Sequence, residues 1–117
     1  MSDSQYIKTE GVGEVLVAQI LWEKVTDREC TAILADLVDS ARSLTWRIAL
    51  DLSKVLLLTS AGLGMLINLH KQCATGGGKL VVFGLSEELG DLMKLTKLDK
   101  LLQMASSRDA AIKKASS

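Results

Sequence analysis

The hydrophobic positions of this chain switch between a period of two and a period near 3.6. Tyr6 to Ile20 is rich in β-formers and broken at Gly11-Val12-Gly13. That pattern predicts a hairpin: a short strand over Tyr6–Glu10, a glycine-rich turn, and a second strand over Glu14–Leu21. Thr26-Asp27-Arg28-Glu29 then has the Thr-x-x-Glu form of a capping box, in which the threonine oxygen and the glutamate carboxylate satisfy free N–H groups at a helix start. Behind it Cys30, Ile33, Leu34, Leu37, Val38 and Ala41 recur at helical spacing, so a helix is expected over Asp27–Arg42.

Trp46 to Leu52 is mostly apolar and reads as a central strand covered on both faces. Val55 to Leu58 suits a buried strand or its exit. Ser60 to Ala74 returns to helical period, with Leu63, Leu66, Ile67 and His70 on one face. Gly76-Gly77-Gly78 ends that helix, because glycine accepts a left-handed cap at no steric cost. Lys79–Gly84 is a further buried strand. Ser86 is a good N-cap, Glu87 and Glu88 favour the positive end of a helix dipole, and Leu89, Leu92 and Met93 form the inner stripe. A short last strand over Leu101–Met104 precedes a final helix capped by Ser106 or Ser107 and running through Ala110, Ala111 and Ile112. The order β-β-α-β-α-β-α-β-α implies an α/β domain with a mixed, mostly parallel sheet of about five strands and about four helices. A single domain over residues 1–117 is expected, with the tail Lys113–Ser117 fraying into disorder.

Composition narrows the function. Lys plus Arg equals Asp plus Glu, 14 each, so the formal net charge is zero, and no basic face for nucleic acid is indicated. Aromatic residues make up 3%, which leaves no stacking platform for bases or sugars. Met1 to Glu10 is polar, without a signal pattern, and no apolar run approaches the roughly 18 residues of a membrane span. A cytoplasmic protein without direct membrane insertion is expected. The two cysteines, Cys30 and Cys73, lack metal-ligand spacing and fit a reduced compartment. No metal and no cofactor are expected.

Catalytic groups are sparse. The lone histidine, His70, sits inside a helical apolar stripe without a nearby orienting carboxylate. Cys73 lies one turn along, and a cysteine at that spacing reads first as a small buried hydrophobe. Gly76-Gly77-Gly78 precedes a strand instead of opening a helix, the wrong order for a phosphate loop. Gly62-Leu63-Gly64 does open a helix but lacks the following glycine and lysine. Asp51, at a strand's end, is either a functional carboxylate or a cap for the loop Leu52–Val55. The chain reads as a binding protein, not an enzyme.

Asp51-Leu52-Ser53-Lys54-Val55 followed by Thr59-Ser60-Ala61-Gly62-Leu63-Gly64-Met65-Leu66 resembles the signature of the STAS domain, shared by sulphate transporters and anti-sigma-factor antagonists. Gly77 to Val82 resembles the family's glycine-led strand, and Leu89 through Leu102 its third helix and the segment before the last strand. The resemblance implies a bacterial regulator of transcription: a partner-switching phosphoprotein that binds an anti-sigma factor acting as a serine kinase. Phosphorylation at Ser60 (alternatively Thr59) would release the partner, and a phosphatase would reset the switch. A partner-binding surface of Ser60, Ala61, Gly62, Met65, Leu69 and Trp22 is expected, with Asp51 and Ser53 structuring the loop; Trp22, where the chain departs from the family, serves either as an exposed anchor or as a cover for the sheet's end. Gly62 and Gly64 would keep that surface low for an approaching partner. Met65 and Leu69 serve either as its apolar patch or as a second core contact. Ser60 also suits a plain N-cap role. Thr59 stands where the family has aspartate, Ala61 where it has a second serine, and Ile20 to Val25 replaces the usual Gly-x-Leu-Asp lead-in. The alternative that Thr59 suggests is a non-switching STAS subunit of a larger signalling or lipid-transport assembly. A small-ligand or nucleotide-binding module is the third reading. The oligomeric state is open.

Overall fold

Residues 4–42 and 45–117 are described by the structure, a computed structural model. The elements run β1 (Ile7–Val12), β2 (Val15–Ile20), β3 (Lys24–Val25), α1 (Asp27–Arg42), β4 (Arg47–Asp51), β5 (Leu57–Leu58), α2 (Ser60–Thr75), β6 (Lys79–Phe83), α3 (Glu87–Leu95), α4 (Leu98–Leu101), β7 (Gln103–Met104) and α5 (Arg108–Ser116). A five-stranded sheet has the order β1-β2-β4-β6-β7. The β1/β2 pair is antiparallel and every other pair is parallel. The mixed α/β architecture expected from the sequence is therefore present, with two additions: the one-turn α4, and a separate two-stranded ladder of β3 with β5.

The strands divide their side chains by alternation. Leu16, Ile48, Leu50, Leu80 and Val82 point into the larger core, which α1, α2 and α3 cover. Val15, Val17, Ala49, Val81 and Phe83 point to the other face, where α5 lies on them through Ala111 and Ala115. Covering both faces is why β4 and β6 read as almost unbroken apolar runs. Each parallel crossover (β2-α1-β4, β4-α2-β6, β6-α3-β7) moves one way along the sheet, so their helices share a face.

The expected frayed tail is corrected. Helix α5 continues to Ser116 and buries Ala115 completely. Arg47 Nη1 donates to the backbone oxygens of Ala115 at 2.8 Å and Ser117 at 3.1 Å, and Lys79 Nζ donates to that of Ser117 at 3.1 Å. Cations from two central strands thus satisfy the last carbonyls of the helix. Those partners are remote in sequence, and local composition does not show them.

The Val55–Leu58 segment is also corrected. Val55 and Leu58 are buried, but Leu56 and Leu57 are 58% and 48% exposed. Their N–H groups donate to Glu23 O at 2.7 and 3.0 Å, so the segment crosses the top of the domain and pairs with the β2–β3 connection.

Candidate functional site

The site is built where β4 ends. Asp51 closes the strand and turns the chain: its Oδ1 accepts the backbone N–H of Ser53 at 2.8 Å and its Oδ2 accepts Gln19 Nε2 at 3.2 Å. The amide of Gln19 also donates to Ser53 Oγ at 3.3 Å. Gly84, at the end of β6 with φ +76°, passes so close that a Cβ there would sit 2.8 Å from Asp51 Oδ1. This polar knot across three strand ends aims the following loop. Asp51 works there as a loop brace, its carboxylate spent on neighbours.

The loop delivers Thr59 to the start of α2. Thr59 is extended (φ −81°, ψ 177°), and its Oγ1 accepts the N–H of Gly62 at 3.4 Å. Its hydroxyl donates to Val25 O at 3.3 Å, and its own N–H reaches the same carbonyl at 3.2 Å. The N-cap is therefore Thr59, and Ser60 is the first residue inside the helix, so of the two hydroxyls it is Thr59 that takes the cap. Ser60 is exposed, and its hydroxyl makes no hydrogen bond among the described residues. The first turn of α2 holds no acidic side chain, so nothing within it offsets the positive end of the helix dipole.

Three of the expected partner-binding residues face inward. Gly62 is buried, and a Cβ on it would lie 2.9 Å from Leu58 Cδ2 and 3.3 Å from Val25 O. Its smallness serves close packing of α2 on the β3/β5 ladder, not the approach of a partner. Met65 and Leu69 are 4% and 0% exposed and belong to the core, so they form no surface patch. The buried stripe of α2 is Gly62, Met65, Leu66, Leu69 and Cys73, while Leu63, Ile67 and His70 lie half-buried on its flank. The helix is apolar around more than half its circumference, and periodicity alone admits either stripe. The close contact at Gly62 selects one. Gly64 does face outward, with nothing within 4 Å of a Cβ placed on it.

The sequence signal missed two surface residues, Leu56 and Leu57. With Trp22, 38% exposed, they are three of the five exposed large apolar side chains among the described residues. Glu23 O holds both leucine N–H groups, so the Trp22–Glu23 segment meets the leucines, which precede Ser60 by three and four residues. Trp22 stacks at a tilt on Tyr6 (centroids 5.5 Å apart), and its Nε1 donates to Gln5 O at 3.3 Å. A groove of about 490 Å³ runs from Leu21 and Trp22 to Thr26 and Glu29 at the start of α1. The signal for the two leucines was legible in retrospect: four successive apolar residues cannot all face inward from a two-residue strand.

At the inner end of the groove Glu29 accepts the Thr26 N–H at 2.9 Å and the Thr26 hydroxyl at 2.6 Å. The capping box is thus made by the carboxylate, while the Glu29 N–H goes to the Thr26 carbonyl and not to its side chain. The Thr26 hydroxyl and backbone bonds hold the Glu29 carboxyl below its ordinary value of 4.5. Because the folded state keeps Glu29 ionised more readily, its stabilisation is full above that ordinary value and is lost as pH falls through the lowered one. In Glu29→Gln the urea midpoint is expected to fall at pH 7, and the gap from the parent to shrink in acid and close once the pH has passed the lowered value. Urea titrations at several pH values check this; a gap that persists in acid would place the effect in packing instead.

The thiols offer no nucleophile at neutral pH. Burial pushes Cys73 up to about 12, and burial together with Asp27 and Glu29 raises Cys30. Among the described residues no group of three or more His, Cys, Asp or Glu side chains is placed to hold a metal ion.

The STAS domain family matches residues 6–111 of the chain. Among solved structures, an anti-sigma factor antagonist from Mycobacterium paratuberculosis superposes with TM-score 0.82 at 20% identity, covering 95% of this chain and 93% of that one. An anti-sigma-factor antagonist (STAS) domain protein from Planctomyces limnophilus gives 0.83 at 16% identity, over 95% and 98% of the two chains. The Bacillus cell-fate determinant SpoIIAA in its phosphorylated form gives 0.68 at 15%, over 92% and 97%. At these identities the likeness is one of fold.

Proposed function

The chain belongs to the STAS domain family, and from that premise we propose that it is a protein-binding switch of the anti-sigma-factor-antagonist type. In this reading it binds an anti-sigma factor that is also a serine kinase, and phosphorylation at Ser60 releases the complex. The observation that carries it is the contrast between adjacent hydroxyls: Thr59 is spent on Val25 and Gly62, while Ser60 stands exposed at the first turn of α2.

The physics supports such a switch. A phosphate adds about −1.5 to −2 charges at neutral pH. Placed at a helix start with no acidic first turn, that charge is favourable to the fold. A partner seated on Trp22, Leu56 and Leu57 would instead desolvate it beside an apolar contact. The alternative phosphoacceptor, Thr59, would have to surrender the cap of α2 first. Ala61, half-buried behind Ser60, contributes to the edge of the same surface.

The experiment is phosphorylation by the cognate kinase with ATP, mapped by mass spectrometry, beside calorimetry of the parent and two variants. Ser60→Ala is expected to bind the partner as the parent does and to take up no phosphate. Ser60→Asp is expected to bind about 100-fold more weakly, because an unpaired charge at a desolvated contact costs about 2–5 kcal/mol. Phosphate on another residue, or unchanged affinity in Ser60→Asp, would remove Ser60 from the mechanism.

The second reading is a non-switching STAS subunit of a larger signalling or lipid-transport assembly. It is favoured by Thr59, which stands in the family's aspartate position and acts as a structural cap. Recovery of a multi-subunit complex that is indifferent to Ser60→Asp would select it.

A further inference from the structure

The other two exposed large apolar side chains among the described residues, Leu95 and Leu101, lie at the other end of the molecule from Ser60. Helix α3 starts beyond the C-terminal end of β6 and runs back antiparallel to it, so its last residue, Leu95, and the following α4 sit toward the N-terminal ends of the parallel strands. Ser60 follows the C-terminal end of β4.

Between the two helices the chain makes a tight turn. Lys97 takes the left-handed conformation (φ 62°), its N–H reaches Lys94 O at 3.1 Å, and its carbonyl receives the Lys100 N–H at 3.2 Å. Leu95 is 81% exposed, the most of any large apolar side chain among the described residues, and Leu101 is 44% exposed. Leu98, between them, is buried and anchors the turn to the core. Lys94, Lys97 and Lys100 are all exposed, against two exposed acidic residues, Asp99 in the turn and Asp91 one helical turn before Leu95. A chain of zero net charge thus carries a local excess of positive charge around two leucines that stand into water.

We infer that the α3–α4 turn is a docking surface for an anionic lipid bilayer, touched through Leu95 and Leu101 and held by Lys94, Lys97 and Lys100. Charge separates this place from the groove at Trp22, whose lining holds Glu23 and Glu29 against Lys24. There Trp22 borders one concavity and Leu56 another, each of which a protein segment can fill. Here Leu95 and Leu101 stand at a helix end and on a one-turn helix, with lysines around them. Leucines flanked by lysines are the pattern of interfacial contact: the alkyl groups enter the headgroup boundary while the ammonium groups meet anionic lipid. The contact is peripheral, and no helix among the described residues is long and apolar enough to cross a membrane. It is also weak, since two side chains are far less than the anchors that give stable attachment. Lying opposite Ser60, the turn leaves the proposed partner surface free, so the inference stands apart from the switch reading.

The test is co-sedimentation of the full chain with vesicles of phosphatidylcholine containing about one-third phosphatidylserine, against phosphatidylcholine alone. The chain is expected to pellet with the anionic vesicles only, and high salt is expected to release it. Lys97→Gln with Lys100→Gln is expected to lower partitioning by about tenfold or more, each lysine being worth roughly a factor of five. Leu95→Ser is expected to lower it by about tenfold. Because Leu95 is exposed, its urea midpoint serves as the check that the fold is unaltered. Absence of binding to anionic vesicles, equal binding to zwitterionic ones, or binding indifferent to both variants would overturn the proposal. So would a turn that captures an acidic protein and no lipid.

Discussion

Gly78→Ala is expected to lose about 3 kcal/mol or more of stability, seen as a fall of roughly 10–15 °C in Tm. A Cβ on Gly78 would stand 2.0 Å from Trp46 O, 2.3 Å from its carbonyl carbon and 2.7 Å from Thr45 O. These are backbone atoms, so no side-chain rotation relieves the contact. The carbonyl concerned also accepts the Lys79 N–H at 2.9 Å, the bond that registers β6 beside β4. Moving it disturbs the sheet's centre. The glycine run around it terminates α2: Gly77, at φ +83°, lets the Gly78 N–H return to Cys73 O at 2.8 Å and its own N–H to Ala74 O at 3.1 Å. Gly76 lies against the Trp46 indole, 2.3 Å from its Cδ1 to an added Cβ. Gly64→Ala is the internal control. It fills open space in mid-helix and is expected to be neutral or to gain up to about 1 kcal/mol. Thermal scans of the two variants beside the parent check both signs. A Gly78→Ala protein that melts with the parent would mean that β4 and β6 approach less closely than described.

Leu69→Ala is expected to cost about 2–5 kcal/mol, read as a shift of the urea midpoint with little change in slope. Leu69 is fully buried in the core shared by the sheet, α1 and α2, and its truncation leaves a cavity among residues already held by the sheet. The same substitution separates two roles for the residue. A surface contact would lose partner affinity at constant stability. A core contact loses stability first, and whatever folded protein remains keeps the Ser60 surface. Trp22→Ala makes the opposite case, because its indole is part-exposed beside the groove and its described contacts are the stack on Tyr6 and the hydrogen bond to Gln5 O.

Much of this protein was legible in its sequence because the signals are local. The two ends of α1 follow from the Thr26–Glu29 box and the last apolar repeat at Ala41. The end of α2 follows from three glycines, and the start of α3 from Ser86, whose hydroxyl accepts the Leu89 N–H at 3.2 Å. The buried strands β4 and β6 were declared by runs of Ile, Leu and Val too short for a helix and too apolar for a surface. The family was legible too, since the order and spacing of Asp51-Leu52-Ser53 and Gly62-Leu63-Gly64 need no coordinates.

What tertiary structure decided is how each element is rotated and which hydroxyl is left over. An apolar helix such as α2 has more than one admissible buried face, and the contact of Gly62 with Leu58 and Val25, residues of two other elements, chose the one that takes Met65 and Leu69 inside. The cap of that helix went to Thr59 because Val25 O, 34 residues away, holds its hydroxyl and N–H in place, which leaves Ser60 exposed. The ordered end of α5 rests on Arg47 and Lys79. Periodicity and capping rules act over one or two helical turns, so the chain alone determined its elements and family. Contacts across the sheet, between residues remote in sequence, determined which of its side chains face outward.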